Sequence, residues 1–424
     1  MDEFEVLVFS TSQLGGVLAI SYPPEDPQIA LDLLYVFGAD FDVEAQAIKL
    51  NYKQRNTAEF RKRLADFIEK YKGKLPQIQQ LGGKFNKLSD DEWFFILPPG
   101  PLTTLQKYKL ERELDELNGR ADVVSDEDMM AFAGEILGNY EIITFDLDKE
   151  AKIKIGEGTK AKRVCRFCKG RIPEVTFKKE AHAISEALGN KKLILNEECD
   201  SCNEFFDENV ERDFIHFHDL TRTVFGVLNK DNEVPKLKGK GFSVAKTDER
   251  LSVALVSADN AVPKNAPPEG MLLKTNNKIA LQNIYKALCK FALSVIDAGS
   301  MEHFADTVAW LKGEKTADAL PKVAVLHSYH FFTRRPELTL HLRNNDNAKL
   351  PYLVGEFKIM LYVYIFIVPF SDKDDDDFLS EESYANFLSC FKQINVNYGF
   401  KFADFSQNIQ RDLNFDIKFQ RSEV

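Results

Sequence analysis

The stretch EECDSCNEFF, residues 197–206, places two cysteines three positions apart in an acid-rich segment, and RVCRFCKGR, residues 163–171, does the same upstream. Together they form the pattern C-x2-C-x30-C-x2-C. Each C-x2-C turn brings two thiolates to one point, and two such turns supply the four soft ligands of a closed tetrahedral zinc site. Iron–sulfur ligation is the rival interpretation, but paired knuckles with a long spacer are typical of zinc. The predicted zinc ligands are Cys165, Cys168, Cys199 and Cys202.

A zinc ion with four protein ligands has no open position for a substrate, so this site would support a fold rather than a reaction. In a polar segment of roughly 80 residues, the ion would replace a hydrophobic core that the side chains cannot build. The other two cysteines, Cys289 and Cys390, lie in the apolar contexts KALCKFAL and NFLSCF. We expect them to be buried as small apolar side chains.

The chain of 424 residues is 44% apolar and 29% charged, which is typical of globular proteins and long enough for two or three domains. Its first residues, MDEFEVLVFS, are acidic where a signal peptide would be basic. The longest apolar run, IMLYVYIFIV (359–368), is too short to span a bilayer and is rich in β-branched and aromatic residues, so it indicates a buried strand. We therefore expect a soluble, cytoplasmic protein that is not inserted in a membrane, with reduced cysteines.

The net charge of −11 argues against a general nucleic-acid coat, but its distribution is uneven. Residues 152–192 contain twelve Lys or Arg and four Glu, a net charge of +8. This basic island is either a surface that contacts phosphates or a solvated charged face, and composition alone leaves both interpretations open. Within it, the candidate nucleic-acid contacts are Lys178, Lys179, Lys191 and Lys192.

Three regions follow from the pattern of the chain, and we predict a multidomain α+β protein. Residues 1–155 form a mixed α/β region of unknown role, 156–243 a zinc domain, and 244–424 an α+β region that serves in sensing or oligomerisation. Apolar periodicity predicts helices over 58–74, 101–119 and 279–299. Alternating or continuous apolar runs predict strands at FEVLVFS, GVLAIS, EWFFIL, KVAVLHSYHFF, PELTLHL and YLVGEFKIMLYVYIFIVPF.

The segment between the cysteine pairs carries a second pattern. In order, the chain reads CRFC, EAHAISEALGN and CDSCN. Residues 163–206 resemble the HNH endonucleases, in the zinc-bound subfamily with C-x2-C, E-A-H or E-H, I-x-E-x-L-G-N/G and C-x2-C-N. The resemblance covers about a tenth of the chain and implies a ββα-metal fold, embedded in a larger bacterial protein whose other regions are unfamiliar.

The resemblance also implies roles for individual residues. His182 matches the general base, because a histidine is readily available in its basic form near neutral pH. Asn203 matches the position that binds one catalytic divalent ion, Mg²⁺ or Mn²⁺. A middle asparagine orients the histidine loop, and Asn196 is our first choice for this role, with Asn190 as the alternative.

Two positions depart from the family pattern. Many HNH enzymes carry an acid directly before the base histidine, and here that position is Ala181. The resemblance therefore leaves the catalytic ion to Glu180, Glu204 or water besides Asn203. Ser185 stands where a proline is common, which reduces loop rigidity more than it changes the chemistry.

These observations predict a metal-dependent HNH endonuclease that hydrolyses phosphodiester bonds, with DNA as the expected substrate. Two alternatives remain: a zinc-stabilised module that binds nucleic acid without cleaving it, and an RNA nuclease. Nuclease domains set between unfamiliar regions also resemble bacterial anti-phage defence effectors, by analogy of architecture alone. The sequence leaves a homo-oligomeric state open.

Overall fold

The chain divides into two compact units, Met1–Ala131 and Phe132–Val424. Both contain helices and antiparallel sheets, so the predicted α+β class is confirmed. The computed structural model describes residues 2–10, 16–23, 26–42, 47–75, 78–86, 88–97, 110, 113–119, 126–145, 152–229, 232–247, 250–255, 270–328, 332–394 and 399–418.

In its described residues, the first unit combines a four-stranded sheet with helices. The sheet is antiparallel at every pairing, and a separate two-stranded ribbon accompanies it. The runs FEVLVFS, GVLAIS and EWFFIL form strands as predicted. The elements are β1 (Asp2–Phe9), β2 (Gly16–Tyr22), α1 (Gln28–Val36), β3 (Asp40–Asp42), β4 (Ala47–Lys49), β5 (Lys53–Arg55), α2 (Ala58–Tyr71), α3 (Gln79–Phe85) and β6 (Trp93–Leu97). The sheet order is β2-β1-β6-β5.

Helix α2 follows from its sequence pattern. Thr57 caps its start by accepting a hydrogen bond from the N–H of Phe60 at 3.1 Å. Phe60, Leu64 and Phe67 share one buried face, as their spacing predicts, and they pack in the core of the first unit. Of the predicted helix 101–119, residues 113–117 are helical, whereas residues 101–109, 111 and 112 lie outside the described residues.

The second unit contains three sheets and most of the helices. Its strands are β7 (Tyr140–Thr144), β8 (Ile153–Ile155), β9 (Leu193–Leu195), β10 (Leu237–Gly239), β11 (Phe242–Lys246), β12 (Leu251–Leu255), β13 (Gly270–Ala280), β14 (Val323–His327), β15 (Thr333–Arg343), β16 (Leu353–Met360), β17 (Tyr362–Ile367), β18 (Lys401–Ala403) and β19 (Gln410–Lys418). Helix α4 (Asp126–Asn139) begins in the last residues of the first unit and ends in the second. The other helices of the second unit are α5 (Asp200–Phe206), α6 (Arg212–Phe217), α7 (Asp219–Phe225), α8 (Leu281–Leu293), α9 (Ala298–Met301), α10 (Ala305–Leu311) and α11 (Glu381–Cys390).

The largest sheet of this unit has the order β18-β14-β17-β16-β15-β7. A five-stranded sheet has the order β12-β11-β10-β13-β19, and β8 pairs with β9 in parallel. The side chains of β17 are buried almost without interruption, because the sheet is covered on both faces. No helix in the described part of the chain has the length and apolar character that crossing a membrane requires.

Two predicted elements have other boundaries in the structure. The stretch YLVGEFKIMLYVYIFIVPF is two strands, because Met360 adopts a positive φ of 52° and reverses the chain between β16 and β17. The helix predicted over 279–299 is shorter. Ala280 is still extended, with φ −95° and ψ 127°, and helix α8 ends at Leu293 before Asp297 caps the next helix.

Helix α8 is the central helix of the second unit. Nearly every side chain on it is buried, which is expected of a helix surrounded by protein. Its residues share one hydrophobic cluster with the cysteine segment and with the six-stranded sheet. The predicted boundary at residue 243 falls within β11, so both sides of it belong to one compact unit. The division into three domains stays a prediction.

Candidate metal centre and histidine hairpin

The four predicted zinc ligands come together. One sulfur atom from each of the four cysteines lies within 4.8 Å of the others, and the Sγ atoms of Cys168 and Cys199 are 3.6 Å apart. A tetrahedral zinc ion with Zn–S bonds of about 2.3 Å requires neighbouring sulfurs to lie about 3.8 Å apart. The spacing of the thiols therefore fits one closed tetrahedral ion.

Local backbone geometry places each pair of sulfurs. In the first knuckle, the N–H of Cys165 donates to the carbonyl of Gly170 at 2.9 Å, and Lys169 takes a positive φ of 60°. A Cβ at position 170 would lie 2.7 Å from Cγ1 of Val175 and 3.3 Å from Sγ of Cys168, so only glycine fits this turn. The first knuckle is thus a tight loop closed on itself.

In the second knuckle, Cys199 is the residue that precedes helix α5. Its N–H points at the Sγ of Cys165 at 3.5 Å, and its carbonyl accepts the N–H of Asn203 at 2.9 Å. Cys202 lies in the first turn of the same helix. The helix start therefore aims two sulfurs at the same point as the first knuckle.

The thiols change one another's pKa because their sulfur atoms lie so close together. A hydrogen bond with Cys202 lowers the pKa of the Cys165 thiol to about 4, whereas burial raises the pKa of the Cys168 thiol to about 11. Four thiolates this close repel one another unless a cation lies between them. A zinc ion supplies that charge, and the cluster is suited to a structural zinc site.

Next to the knuckles lies a short hairpin that carries His182. His182 pairs with Ile194 as an antiparallel bridge. The N–H of Ala183 donates to the carbonyl of Leu193 at 3.0 Å, and the N–H of Leu195 donates to the carbonyl of Ala181 at 2.9 Å. Since β8 pairs with the other side of β9, the extended segment around His182, called the His182 strand below, adds a single bridge at the edge of this two-stranded sheet.

The environment of His182 favours its neutral form. The side chain is half-buried, and burial lowers the pKa of the imidazole below its usual value. The carboxylates of Glu186 and Glu180 act in the opposite direction. The neutral ring has a free nitrogen lone pair near pH 7, which is what a proton acceptor requires.

The loop after His182 is held by Asn190. The Nδ2 of Asn190 donates to the carbonyls of Ile184 at 2.8 Å and Leu193 at 3.2 Å. Its Oδ1 accepts the N–H groups of Lys192 at 3.1 Å and Leu193 at 3.0 Å. This buried amide therefore ties the two ends of the loop to each other.

Asn196, our first choice from the sequence, has other partners. Its Oδ1 accepts a hydrogen bond from Arg163 at 3.0 Å, and its N–H donates to the carbonyl of Ile155 at 2.9 Å. Its side chain is buried, and these bonds hold β8 and the lead-in to the first knuckle rather than the loop after His182. Of the two asparagines, Asn190 is therefore the one whose side chain hydrogen-bonds to both ends of the loop after His182.

Helix α5 is joined to the approach of the His182 strand through Asp200. The Asp200 carboxylate accepts the N–H groups of Lys178 at 3.0 Å and Lys179 at 2.8 Å, as well as the hydroxyl of Thr176. Asn203, half-buried, follows in the first turn of the helix. The Asp200 bonds fix the start of this helix against the strand that leads to His182.

The carboxylates expected near a catalytic ion are engaged with lysines. Glu180 forms an ion pair with Lys152, and Glu204 lies 3.5 Å from Lys179. The hydrogen bond with Lys152 lowers the pKa of Glu180. Ala181, between Glu180 and His182, is buried. In the part of the chain that the structure describes, the four cysteines are the one group of three or more His, Cys, Asp or Glu suited to a metal.

Two of the predicted nucleic-acid contacts line a basic cavity. It has a volume of about 410 Å³ and lies between the loop after His182 and the segment that follows α7. Lys191, Lys192 and Arg335 border it, and Lys191 hydrogen-bonds to Asn232. The described residues that line it include three cations and no carboxylate. Lys178 and Lys179 precede His182 in the sequence, and both side chains are exposed.

Two buried cations that the sequence pattern does not predict reach this site. Arg166, counted within the basic island, is buried and donates to the carbonyls of Leu293 and Ile296 at 2.9 and 3.1 Å. Lys290 lies on helix α8, and its Nζ is 3.3 Å from the carbonyl oxygen of His182. In the sequence, Lys290 lies on the apolar face of a predicted helix. Lysine is rarely buried without a partner, so this position is a signal for a buried ion pair.

The geometry defines a zinc-knuckle unit with a histidine on an edge strand and an asparagine on the following helix. Residues 165–217 match the family model described as HNH endonuclease. Residues 165–217, called the HNH segment below, are therefore similar to HNH endonucleases, and the match leaves the remainder of the chain outside it. Neither a curated protein nor a solved structure matches the chain.

Proposed function

We propose that this protein is a metal-dependent endonuclease that hydrolyses phosphodiester bonds in DNA. The observation that carries the proposal is the position of His182 within the HNH segment. Its strand is fixed by backbone hydrogen bonds to Leu193 and Leu195, and its ring is half-buried and neutral near pH 7. A neutral imidazole held in one place is the group that phosphodiester hydrolysis needs to take a proton from water.

In this proposal, His182 accepts the proton of the attacking water. The loop after it is held by Asn190, which therefore takes the role of the middle asparagine. Holding the ring in a fixed position matters because a displacement of about 1 Å at a reacting group lowers rates by roughly a hundredfold. The zinc knuckles take no part in the chemistry and keep the hairpin and helix α5 together.

Asn203 and Glu180 are the side chains that would hold a divalent ion, Mg²⁺ or Mn²⁺, together with water and substrate oxygens. Amide and carboxylate oxygens are the ligands that these hard cations prefer. When bound, such an ion stabilises negative charge on the leaving oxygen. Lys152 forms an ion pair with the Glu180 carboxylate and therefore competes with the divalent ion for this side chain.

The substrate assignment rests on charge. Lys178, Lys179, Lys191 and Lys192 lie before and after His182, and Arg335 borders the cavity beside the last two. Contacts of this kind bind phosphates without reading bases, so we expect cleavage without strict sequence preference. Comparison of plasmid DNA with a structured RNA decides between the two substrates.

Plasmid cleavage tests the proposal. With Mg²⁺ or Mn²⁺ the purified protein should degrade plasmid DNA, and His182→Ala should lower the rate by about 10²- to 10⁴-fold, the usual contribution of a general base. The matched control is His303→Ala, because His303 pairs with Asp372 on another part of the same unit. Equal cleavage by His182→Ala and wild type contradicts the proposal.

A second candidate is a module that binds nucleic acid without cleaving it. It is favoured by the buried Ala181, at a position where many HNH enzymes carry an acid, and by the pairing of Glu180 with Lys152. It predicts stoichiometric zinc and DNA binding, with no cleavage under any divalent ion. A role in anti-phage defence, a cytoplasmic location and a homo-oligomeric state stay predictions, which phage challenge, cell fractionation and light scattering can check.

A further inference from the structure

Lys290 is a buried lysine at the junction between helix α8 and the HNH segment. Only 1% of it is exposed. Its Nζ lies 2.8 Å from the Glu211 carboxylate, 3.2 Å from that of Glu198 and 3.3 Å from the carbonyl oxygen of His182. These carboxylates raise the pKa of Lys290 against the opposing effect of burial, so the side chain is an ammonium ion.

The carbonyl of His182 needs a partner outside the hairpin. In an antiparallel pair, every second residue points its N–H and C=O away from the opposite strand. The bonds of Ala181 and Ala183 to β9 show that His182 is such a residue. The His182 strand also lies at the edge of the two-stranded sheet, where unpaired backbone groups remain. Lys290 supplies a charged donor at this edge in place of another strand.

The same ammonium group connects three parts of the domain. Glu198 directly precedes the zinc ligand Cys199, and Glu211 ends the π-helical turn Asp207–Glu211 that continues helix α5. The Nζ also lies 5.8 Å from the ring centre of Phe206 on α5. One cation therefore contacts the histidine strand, the approach to the second knuckle and the helix of the ββα unit.

A second cation, Arg166, also connects helix α8 with the HNH segment, but it lies in the segment and binds the helix. Arg166, between the cysteines of the first knuckle, donates to the carbonyls of Leu293 and Ile296 at the end of α8. Its guanidinium also pairs with Glu197 at 2.8 Å. Helix α8 is also joined to residues 165–217 through Asn283, whose side-chain amide donates to the Asp213 carboxylate at 2.8 Å. Of the two cations, Lys290 is the one that contacts the residue carrying the imidazole.

We infer that Lys290 is a positioning residue for His182: its ammonium group holds the outer edge of the histidine strand and so sets the place of the imidazole. This inference rests on the proposed nuclease function. It assigns a role in that reaction to a helix outside residues 165–217, the part of the chain that the family model covers.

Helix α8 provides a matched control. Lys286 lies one turn before Lys290 and is also buried, with 6% exposure. Its Nζ lies 5.4 Å from the ring centre of Trp310, and it forms no ion pair with any described residue. Lys286→Met and Lys290→Met therefore remove the same group from the same buried helix, and only the second removes a contact with His182.

The experiment measures kcat and KM for a DNA substrate, together with amide hydrogen exchange at Ala183 and Leu195, in wild type and both variants. Lys290→Met should lower kcat about tenfold or more, because the imidazole loses its fixed position, with KM within about twofold. The two amides should exchange faster. Lys286→Met should leave kcat and both amides close to wild type.

Lys290→Met leaves two buried carboxylates without their cation, so zinc content and an unfolding curve accompany each measurement. If that variant loses zinc, Lys290→Met/Glu211→Gln replaces it, because the amide removes one unpaired charge. Wild-type kcat and exchange in a folded Lys290 variant overturn the inference. Loss of zinc in both Lys290 variants but not in Lys286→Met also overturns it, since Lys290 would then support the whole fold.

The outcome is distinguishable from failure of the nuclease proposal. A wild-type protein that cleaves neither DNA nor RNA refutes the proposed function. Faster exchange at Ala183 and Leu195 in the Lys290 variant alone would still show that the ammonium group holds the histidine strand. Unchanged exchange in an active protein refutes the positioning role and leaves the nuclease assignment intact.

Discussion

The cysteine end and the histidine end of the HNH segment are stabilised in different ways. At the cysteine end, the four sulfurs are placed by bonds inside the two knuckles, such as Cys165 to Gly170 and Asn203 to Cys199. At the histidine end, residues outside the matched segment contribute. Lys290 contacts His182, and Lys152 pairs with Glu180. One end is defined by its motif, and the other depends on the surrounding fold.

This difference shows which structural features a short sequence motif can specify by itself and which features also need the surrounding protein. A zinc knuckle needs four thiols at the right spacing, and the ion supplies the binding energy. The position of a catalytic side chain needs support from its surroundings to within a fraction of an ångström. We therefore expect zinc binding at the cysteine end to depend first on the four thiols, although Arg166 also joins this end to helix α8, and we expect the histidine end to respond more strongly to distant substitutions.

The largest effect should come from breaking the cysteine end. Cys199→Ser removes one of four thiolates, and structural zinc contributes on the order of 10 kcal/mol to the folding of small zinc domains. We expect loss of stoichiometric zinc, loss of the hairpin and no cleavage, as measured by elemental analysis and an unfolding curve. Cys289→Ala is the control, because Cys289 is buried in helix α8 and lies outside the cysteine cluster. A Cys199→Ser protein that retains zinc would refute the four-sulfur site.

A smaller effect should come from the loop between the two ends. Asn190→Ala removes four hydrogen bonds and leaves buried backbone groups unpaired, which should lower the free energy of unfolding by about 2–4 kcal/mol. Cleavage should fall with it, because the loop after His182 loses its support. Urea unfolding and initial rates provide the two measurements.

Asn196→Ala is the matched comparison, since Asn196 is also buried and accepts one bond from Arg163. It should destabilise the protein less and change kcat less than Asn190→Ala. If Asn196→Ala instead lowers stability and kcat more than Asn190→Ala does, Asn196 is the middle asparagine. The contacts with β8, rather than those in the loop, would then orient the histidine.

The two ends also differ in how far the sequence predicts them. The spacing of Cys165, Cys168, Cys199 and Cys202 was sufficient for the cluster, because a tight turn leaves two sulfurs few directions. The α+β class followed in the same way from apolar periodicity, as the buried face of helix α2 shows. These features are local, so a single stretch of chain contains the information.

Features that depend on distant residues were not predicted. Lys290 is 108 positions from His182, and its partners Glu198 and Glu211 read as ordinary surface acids. Arg166 belongs to the basic island of the sequence, yet it is buried against the end of helix α8. Charge patterns along a chain do not reveal burial, because burial depends on which elements pack together.

The smallest effect should come from the exposed pair at the histidine end. Lys152 and Glu180 are both partly exposed, so breaking their ion pair should change the unfolding free energy by less than about 1 kcal/mol. If Glu180 helps to hold the catalytic ion, Glu180→Gln should raise the Mg²⁺ concentration needed for half-maximal cleavage severalfold. Lys152→Met should lower it, because the carboxylate loses its competing cation. Mg²⁺ titrations of the two variants therefore decide whether Glu180 is a ligand of the ion or only a surface acid. If both variants need the same Mg²⁺ concentration for half-maximal cleavage, Glu180 is not a ligand, and Asn203, water and the substrate hold the ion.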